Sequence, residues 1–321
     1  MIEGIPRISI TIICYKQEDL IKRAIDSLLA QKDYIYEICV SDDCSPDRTW
    51  EVLQDYSAKY PGLFVLNRNE PNTGVFENVE KTWKMPTGDI VYTMAGDDEA
   101  GEGWFKKVIE FILENNIDYK NELFCIYGDF SIIYPNGDKL KFQSNSSVLK
   151  DIHPLSLALR GELFNRSACF SKKILDKFIK CSKGRSYIAE NAQDRQLQVI
   201  AKNNYYIPAE GNKYYAHIGV STGMRSNNTI LKDRELDRIY TKEILEKLGY
   251  VFSKKDLYIL KRDTEKRKVY RKGKLIQYPK ILYYSILGFN WRASFNLHYL
   301  TVAVFAILRR LPHKSPITIK V

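Results

Sequence analysis

The chain has 321 residues, of which 45% are apolar and 27% are charged, and its formal net charge is +10. This composition is typical of a globular protein of about two domains and excludes a disordered or fibrous class. Residues 254–321 contain 16 basic and 3 acidic side chains, a net charge of +13, whereas the residues before them sum to −3. A uniformly basic nucleic-acid-binding protein is therefore not expected.

The first 115 residues alternate between predicted strands and predicted helices. Apolar or β-branched runs predict strands at 8–14, 36–41, 63–67 and 89–94, and helical spacing predicts helices at 20–29, 50–56, 75–84 and 103–115. Such alternation implies a parallel sheet with right-handed crossovers. Residues 126–138 instead predict a hairpin, and we expect antiparallel additions and short helices from there to about Arg225.

A polar cluster follows each predicted strand. The clusters are Tyr15-Lys16, Asp42-Asp43, residues 68–74 and Asp97-Asp98. Because ligands bind at the carboxyl ends of the strands in sheets of this kind, the four clusters predict a shared pocket.

Asp97 and Asp98 follow Gly96, which permits close approach of a ligand to the backbone. Two adjacent carboxylates suit a hard divalent cation such as Mg²⁺ or Mn²⁺, which bridges to phosphate oxygens. The alternative is a solvated acidic turn before a helix N-terminus, with Glu99 and Glu102 favouring the helix dipole. Asp42-Asp43 has its own alternative, because aspartate commonly caps the helix that follows.

Together these motifs resemble the family 2 glycosyltransferases of the GT-A fold. The matching segments are residues 8–15, 37–45, 72–74 with Asn78, 87–90 and 96–98. The resemblance covers about the first 220 residues. It implies an α/β fold, with a Rossmann-like, mostly parallel sheet and antiparallel additions in a catalytic domain at 1–225. Outside the resemblance, we predict a helical, basic region at 226–321.

The implied activity is metal-assisted, inverting transfer of a sugar from a nucleotide-sugar donor, expected to be a UDP-sugar. The implied acceptor is a glycan or lipid-linked glycan, as in bacterial polysaccharide, lipopolysaccharide or capsule biosynthesis. The resemblance implies these donor-binding residues: Cys14, Tyr15, Asp42, Asp43, Asn72, Gly74, Asn78, Asp97 and Arg225. Within that set, the strand end at Cys14-Tyr15 contacts base and ribose, and Asp43 or Asp42 accepts a hydrogen bond from the base.

The resemblance also implies a divalent metal, Mn²⁺ or Mg²⁺, on Asp98 and Asp97, with Asp98 as the direct ligand. His217 would ligate the metal or hydrogen-bond phosphate, with Arg225 holding the phosphate, although a lone histidine is more often structural. The implied catalytic base is Asp194, with Glu190 as the second candidate. Both acids alternatively stabilise a helix N-terminus.

The basic tail at 254–321 interleaves tyrosines with its cations, and its apolar runs at 281–289 and 299–308 are too short to span a bilayer. This pattern suits the surface of an anionic membrane, and predicts a cytoplasmic protein that is peripheral on the inner face of the cytoplasmic membrane. The alternative is a helical subdomain with a solvated basic face.

The six cysteines show no CxxC motif and no regular spacing, and the N-terminus shows no signal segment. We therefore predict reduced, buried thiols in a cytosolic protein.

Two other functions compete with glycosyl transfer. A nucleotidyltransferase usually needs a glycine-rich, basic phosphate loop near its N-terminus, and residues 15–19 supply none. A protein that binds nucleic acid through its basic tail would show steep salt dependence, and no nucleic-acid partner is expected. A dinucleotide-dependent dehydrogenase is disfavoured because no GxGxxG follows the first strand.

Overall fold

The computed structural model describes residues 4–142, 168–178, 196–218, 239, 241–262, 283 and 287. Of these, the residues up to Ile244 belong to one compact unit and those from Leu245 onward belong to a second. The predicted domain boundary between residues 225 and 226 lies outside the described residues and stays a prediction.

The first half of the chain forms parallel strands connected by helices, as predicted. The strands are β1 (Ile8–Cys14), β2 (Glu37–Asp42), β3 (Phe64–Arg68) and β4 (Ile90–Ala95). The helices are α1 (Leu20–Leu29), α2 (Thr49–Lys59), α3 (Val75–Thr82) and α4 (Trp104–Glu114). The short strand β5 (Glu99–Ala100) precedes α4 and is absent from the sequence prediction, because two residues carry no periodic signal.

The remaining described strands are β6 (Phe124–Ile133), β7 (Lys139–Phe142), β8 (Cys169–Ser171) and β9 (Asn203–Tyr215). They join the first four in one mixed sheet of order β3-β2-β1-β4-β8-β6-β9-β5, with β7 paired to β6. The predicted hairpin of β6 and β7 is confirmed, and β8 is antiparallel to both β4 and β6.

The expectation of antiparallel additions is wrong for the pairing of β9 with β6, which is parallel from Phe124–Asn203 to Ile133–Tyr215, although β9 is antiparallel to its other neighbour, β5. The physical reason is the long connection between β6 and β9. Only a short turn requires the next strand to run back antiparallel, and many residues separate β6 from β9 along the chain.

The two faces of β1 have different chemistry. Ile8, Ile10 and Ile12 are fully buried in an apolar core that includes side chains from α1, α2 and α4. The intervening residues are polar: Ser9 donates to Glu37 Oε1 at 2.7 Å, and the hydroxyls of Thr11 and Thr93 are 2.8 Å apart. The apolar face provides the hydrophobic stabilisation, and the polar face cross-links neighbouring strands by hydrogen bonds.

Strand register brings the predicted polar clusters to one edge of the sheet. Cys14 at the end of β1 is opposite Asp42 of β2, and Asp42 is opposite Arg68 of β3. On the other side of β1, Ile13 is opposite Ala95, the last residue of β4. The acidic pairs that follow β2 and β4 therefore flank the end of β1.

Residues 241–247 and 254–262 are also helical. The second of these helices begins with a reciprocal capping box, in which Asp256 N donates to Ser253 Oγ and Ser253 N donates to Asp256 Oδ2. Within the part of the chain that the structure describes, no helix is both long and apolar enough to cross a membrane.

Candidate functional site

The end of β1 is joined to the loop that follows β2. Lys16 N donates to Ser45 Oγ at 3.0 Å, and Asp43 N donates to Cys14 O at 3.0 Å. Tyr15 is partly exposed at this edge. Cys14 is buried, and burial first, then the charge of Asp42, raises the pKa of its thiol well above its ordinary value. Cys14 is therefore a neutral packing residue rather than a nucleophile.

Asp42 is fully buried, and its carboxylate is used within the protein. Ser45 donates to it from both its hydroxyl and its main-chain N–H, and Arg68 Nε lies 3.5 Å from Oδ2. Arg68 also donates to Ser45 O at 3.1 Å. Asp42 and Arg68 therefore fix the path of the chain after β2.

Asp43 is 3% exposed, and its carboxylate accepts hydrogen bonds from the loop that precedes α3. The donors are Asn69 Nδ2 at 2.8 Å, Thr73 N at 2.8 Å, Thr73 Oγ1 at 3.0 Å and Gly74 N at 2.8 Å. Gly74 adopts φ +86° immediately before α3. The carboxylate of Asp43 thus anchors the start of α3.

Capping of the next helix by Asp42-Asp43 is therefore the wrong interpretation of this pair. The next helix is α2, and its first residue, Thr49, donates to Asp47 instead, from N at 3.2 Å and from its hydroxyl at 2.6 Å. The sequence shows that aspartates precede a helix, but it does not show that the helix served by Asp43 is the one after it.

The predicted residues Asn72 and Asn78 also lie around Asp43. Asn72 Nδ2 donates to Asp43 O at 2.7 Å. The side chain of Asn78, 2% exposed, donates to Ser41 O at 3.0 Å and accepts from Asn69 Nδ2 at 2.9 Å. Sequence reasoning missed Asn69, whose partners come from β2 and α3 and leave no pattern along the chain.

The acidic turn is residues 96–98, after β4. Gly96 N donates to Ile13 O at 3.0 Å, which fixes the turn against the end of β1. A Cβ at Gly96 would overlap Gln17 Oε1 and lie 2.8 Å from Ile21 Cδ1, so a larger residue would force these side chains to move. Asp98 is 3% exposed and accepts a hydrogen bond from Tyr215 N at 3.4 Å.

The alternative of a solvated acidic turn at a helix N-terminus is wrong for Asp98 and Glu99. Asp98 is buried, α4 begins only at Trp104, and Glu99 belongs to β5. At the far end of β5, a Cβ at Gly101 would overlap the main-chain oxygen of Glu210 in β9. The acidic turn is therefore continuous with a short strand that packs tightly on β9.

Glu99 is paired with two cations. Arg23 Nε lies 3.2 Å and Lys213 Nζ 3.3 Å from its carboxylate oxygens, and the hydroxyl of Tyr215 also donates to it. Burial first, then this hydrogen bond, raises the pKa of Tyr215 to about 12, so the phenol is protonated at neutral pH. Sequence reasoning missed Arg23 and Tyr215, because α1 and β9 are far apart along the chain.

His217 is exposed, with φ +64°, two residues after Tyr215. The structure thus brings its segment next to the acidic turn. Among the described residues, no three His, Cys, Asp or Glu side chains gather into a metal-binding group, so Asp97, Asp98 and His217 do not form one by themselves. A metal role for His217 stays a prediction.

Three predicted site residues, Asp194, Glu190 and Arg225, lie outside the described residues. The helix expected after Asp194 is present at 196–200. Its apolar positions Leu197 and Ile200 are buried, as their spacing predicts. Four of the six cysteines, Cys14, Cys39, Cys125 and Cys169, are buried and free, as predicted; Cys44 is free and partly exposed, and Cys181 is not among the described residues.

Residues 9–136 match the model of the family described as glycosyl transferase family 2. This segment contains β1 to β4, the Asp42-Asp43 loop and the acidic turn. Over these residues the chain resembles glycosyl transferase family 2, and the resemblance seen in its motifs is confirmed for this segment.

Several relatives match part of the chain by sequence. An uncharacterized glycosyltransferase of Mycoplasma genitalium is 34% identical over 93 residues, 28% of this chain and 31% of that protein. A dolichol-phosphate mannosyltransferase of Pyrococcus furiosus is 36% identical over 110 residues, 33% of this chain and 30% of that protein. The chain thus matches less than a third of the length of either relative.

Among solved structures, S. aureus TarS in complex with UDP-GlcNAc has a similar fold, with a TM-score of 0.62 at 15% sequence identity. The similarity covers 97% of this chain and 95% of that chain. The expected α/β architecture with a mostly parallel core is confirmed at the level of the fold.

Proposed function

We propose that this protein transfers a sugar from a nucleotide-sugar donor, UDP-linked, to a glycan or lipid-linked glycan, with inversion at the anomeric carbon. The observation that carries the proposal is the family 2 segment with its acidic turn held at the carboxyl end of β4, beside β1. The UDP-GlcNAc in the similar TarS structure supports a UDP-linked donor, and the dolichol phosphate in the name of the Pyrococcus relative supports a lipid-linked acceptor.

Asp98 and Asp97 would hold the divalent metal, Mn²⁺ or Mg²⁺. Their donor set fits such an ion, because Mg²⁺ is commonly bound by one or two carboxylates while substrate phosphates and water complete its shell. His217, on the segment that follows Tyr215, is a further ligand or a phosphate donor. The ion would offset the charge that develops on the departing diphosphate.

Asp194, or Glu190 in its place, acts as the general base in this proposal. The acceptor hydroxyl loses its proton to the carboxylate while its oxygen bonds to the anomeric carbon, and the bond from that carbon to the diphosphate breaks. The nucleoside diphosphate leaves with the bonding electrons. Arg225 offers a guanidinium to its phosphates.

The strand end at Cys14-Tyr15 contacts the base and ribose in this proposal, with Asp43 or Asp42 accepting from the N3–H of uracil. Because protein donors already surround the carboxylate of Asp43, a base must share or replace one of them. Asn72, Gly74 and Asn78 act here by holding the loop that carries these acceptors.

A thermal-shift panel of nucleotides and nucleotide sugars, with and without Mn²⁺, tests the proposal. We expect UDP and UDP-sugars to stabilise the protein only with metal, by about 2.7 kcal/mol at a hundredfold excess over Kd. Asp97→Asn and Asp98→Asn should remove the metal-dependent part. A protein that responds to no nucleotide would contradict the proposal, and a response to a nucleoside triphosphate alone would favour the nucleotidyltransferase.

We further propose that residues 254–321 place the enzyme on the cytoplasmic face of an anionic membrane, near a lipid-linked acceptor. The support is their net charge of +13. Sedimentation of the full chain with phosphatidylglycerol vesicles, but not with phosphatidylcholine vesicles, is the expected result. Equal binding to both, or preferential binding to RNA at physiological salt, would contradict it.

A further inference from the structure

Arg23 lies on α1, outside the motifs that resemble the family. It contacts both the acidic turn and Glu99, the residue that follows the turn. Its Nη2 donates to the main-chain oxygen of Asp97 at 2.7 Å, and its Nε lies 3.2 Å from Glu99 Oε1. Its guanidinium carbon also lies 3.5 Å from the ring centroid of Tyr215 in β9. One side chain therefore connects α1, the acidic turn and β9.

The strand β9 holds the same turn from the other side. Tyr215 N donates to Asp98 Oδ1 at 3.4 Å, and the Tyr215 hydroxyl donates to Glu99. Lys213 Nζ lies 3.3 Å from Glu99 Oε2. The three consecutive acids are thus held at the main chain of Asp97, at the carboxylate of Asp98 and at both oxygens of Glu99.

The chemistry of these contacts suits arginine and not lysine. A guanidinium has several N–H donors in one plane and a flat face that stacks on an aromatic ring, whereas an ammonium is a point charge. Arg23 and Glu99 are 31% and 14% exposed at their side chains, so this pair is better shielded from solvent than a typical surface ion pair.

The charge of Glu99 is balanced by two cations, Arg23 and Lys213. Glu99 serves as an attachment point for the turn, since its oxygens accept contacts from both α1 and β9. The pair Asp97-Asp98 is the part of the turn that this attachment orients.

We propose that Arg23 is a positioning residue for donor binding, which acts by fixing the main chain of Asp97-Asp98 so that both carboxylates keep one orientation. The inference rests on the proposed function, because it requires a donor diphosphate and its metal at these carboxylates. Residues that orient metal ligands without touching the ion typically contribute about 10–100-fold to metal affinity or activity.

The test compares Arg23→Gln and Arg23→Lys with Lys22→Gln. Lys22 is exposed on the same helix, and Lys22→Gln removes one positive charge as Arg23→Gln does, so this variant is a matched control. We expect Arg23→Gln to weaken UDP binding in Mn²⁺ by about 10–100-fold, with an intermediate loss for Arg23→Lys. The KM for donor should rise while the KM for acceptor stays constant. Lys22→Gln should bind as the native chain does.

Hydrogen exchange measures the positioning directly, without turnover. In Arg23→Gln the amides of residues 96–100 should exchange faster, while those of β1 and β2 keep their native protection. Tyr215→Phe retains the ring and the main-chain N–H to Asp98 but loses the hydroxyl to Glu99, so its effect should be smaller and in the same direction.

The outcomes separate the inference from the proposed function. If the native chain binds UDP and Arg23→Gln binds it equally, with unchanged exchange at 96–100, the inference is wrong and the proposed function stands. The inference is also wrong if Arg23→Gln speeds exchange throughout the sheet while Arg23→Lys and Tyr215→Phe show no change confined to residues 96–100. Arg23 then stabilises the whole sheet and does not position the turn. If the native chain binds no nucleotide, both fail.

Discussion

Asp42-Asp43 follows β2 and Asp97-Asp98 follows β4, the two strands that flank β1. The two acidic pairs have different surroundings. Asp43 and Asp98 are each 3% exposed. Asp42-Asp43 lies among donors of its own loop and of the segment before α3. Asp97-Asp98 is held through the main-chain oxygen of Asp97, through the Asp98 carboxylate, which accepts from Tyr215 N, and through the neighbouring Glu99. Burial and residue type do not distinguish the pairs, whereas the identity of their partners does. We therefore expect substitution of the first pair to lower stability, and substitution of the second to act mainly on catalysis.

The largest expected effect is on catalysis, at the second pair. Asp98→Asn keeps the shape of the side chain and its contact with Tyr215 but removes its charge. We expect transfer to fall at least about 100-fold, or about 3 kcal/mol in the barrier, with little change in the urea midpoint. Initial rates at saturating Mn²⁺ measure the loss. Activity within threefold of native would mean that Asp98 has a structural role, as Asp43 does, and that the two acidic pairs do not differ in function.

The next effect is on stability, at the first pair. Asp43→Ala removes the acceptor of the buried Asn69 and of the partly buried donors at Thr73 and Gly74, so we expect a loss of about 1–3 kcal/mol in the free energy of unfolding. Urea unfolding at constant pH measures it. Asp55→Ala, at an exposed position of α2, is the control and should cost under about 1 kcal/mol. Equal losses in the two variants would contradict the role of Asp43 as an anchor.

A third prediction concerns the approach of α1 to the acidic turn. Gly96→Ala places a methyl group against Gln17 and Ile21, and should cost about 1–3 kcal/mol while weakening nucleotide binding. Gln17→Ala in the same chain removes the side-chain atom that the methyl group would meet most closely. We therefore expect the double variant to recover part of the loss, as measured by urea unfolding of all three variants. Strict additivity would mean that the two side chains do not meet.

The smallest effect is a labelling difference beside the first pair. Burial, followed by the charge of Glu37, raises the pKa of the Cys39 thiol in β2 to about 12, whereas Cys44, just after Asp43, is partly exposed. Alkylation needs the thiolate, so at pH 8.5 less than about one in a thousand Cys39 thiols is reactive. Iodoacetamide should therefore label Cys44 first, and raising the pH to 9.5 should still leave Cys39 mostly unmodified. Peptide mass spectrometry measures both sites, and similar rates would indicate that the loop opens in solution.

Most of the first half of the fold is predictable from the sequence. The strand runs and the helical spacing of Leu20 to Leu29 carry clear periodic signals, and each strand ends in a polar cluster. The two-residue β5 and the parallel pairing of β9 are not predictable in this way, because both depend on partners far along the chain. Local pattern reports which residues face a core, but it does not report which element covers them.

The candidate site divides along the same line. The acidic residues and the loop at 72–74 are visible as motifs, because aspartate, asparagine and glycine mark the ends of the apolar runs. The attachment of Asp43 to α3, and of Asp97 to Arg23, is not visible, since hydrogen bonds between distant segments leave no spacing to detect. The partners of Asp43 and Asp97 are therefore visible only in the structure.

Gly96, the first residue of the acidic turn, and Gly101, just after β5, have a consequence for enzyme engineering. Gly96 has no room beside α1, and Gly101 has none beside the backbone of β9. A library that aims to change donor preference should therefore hold both positions constant and diversify Asp97 to Glu99 only together with their neighbours on α1 and β9. Grafting the turn alone from another transferase would transplant the acids without the surfaces that shape them.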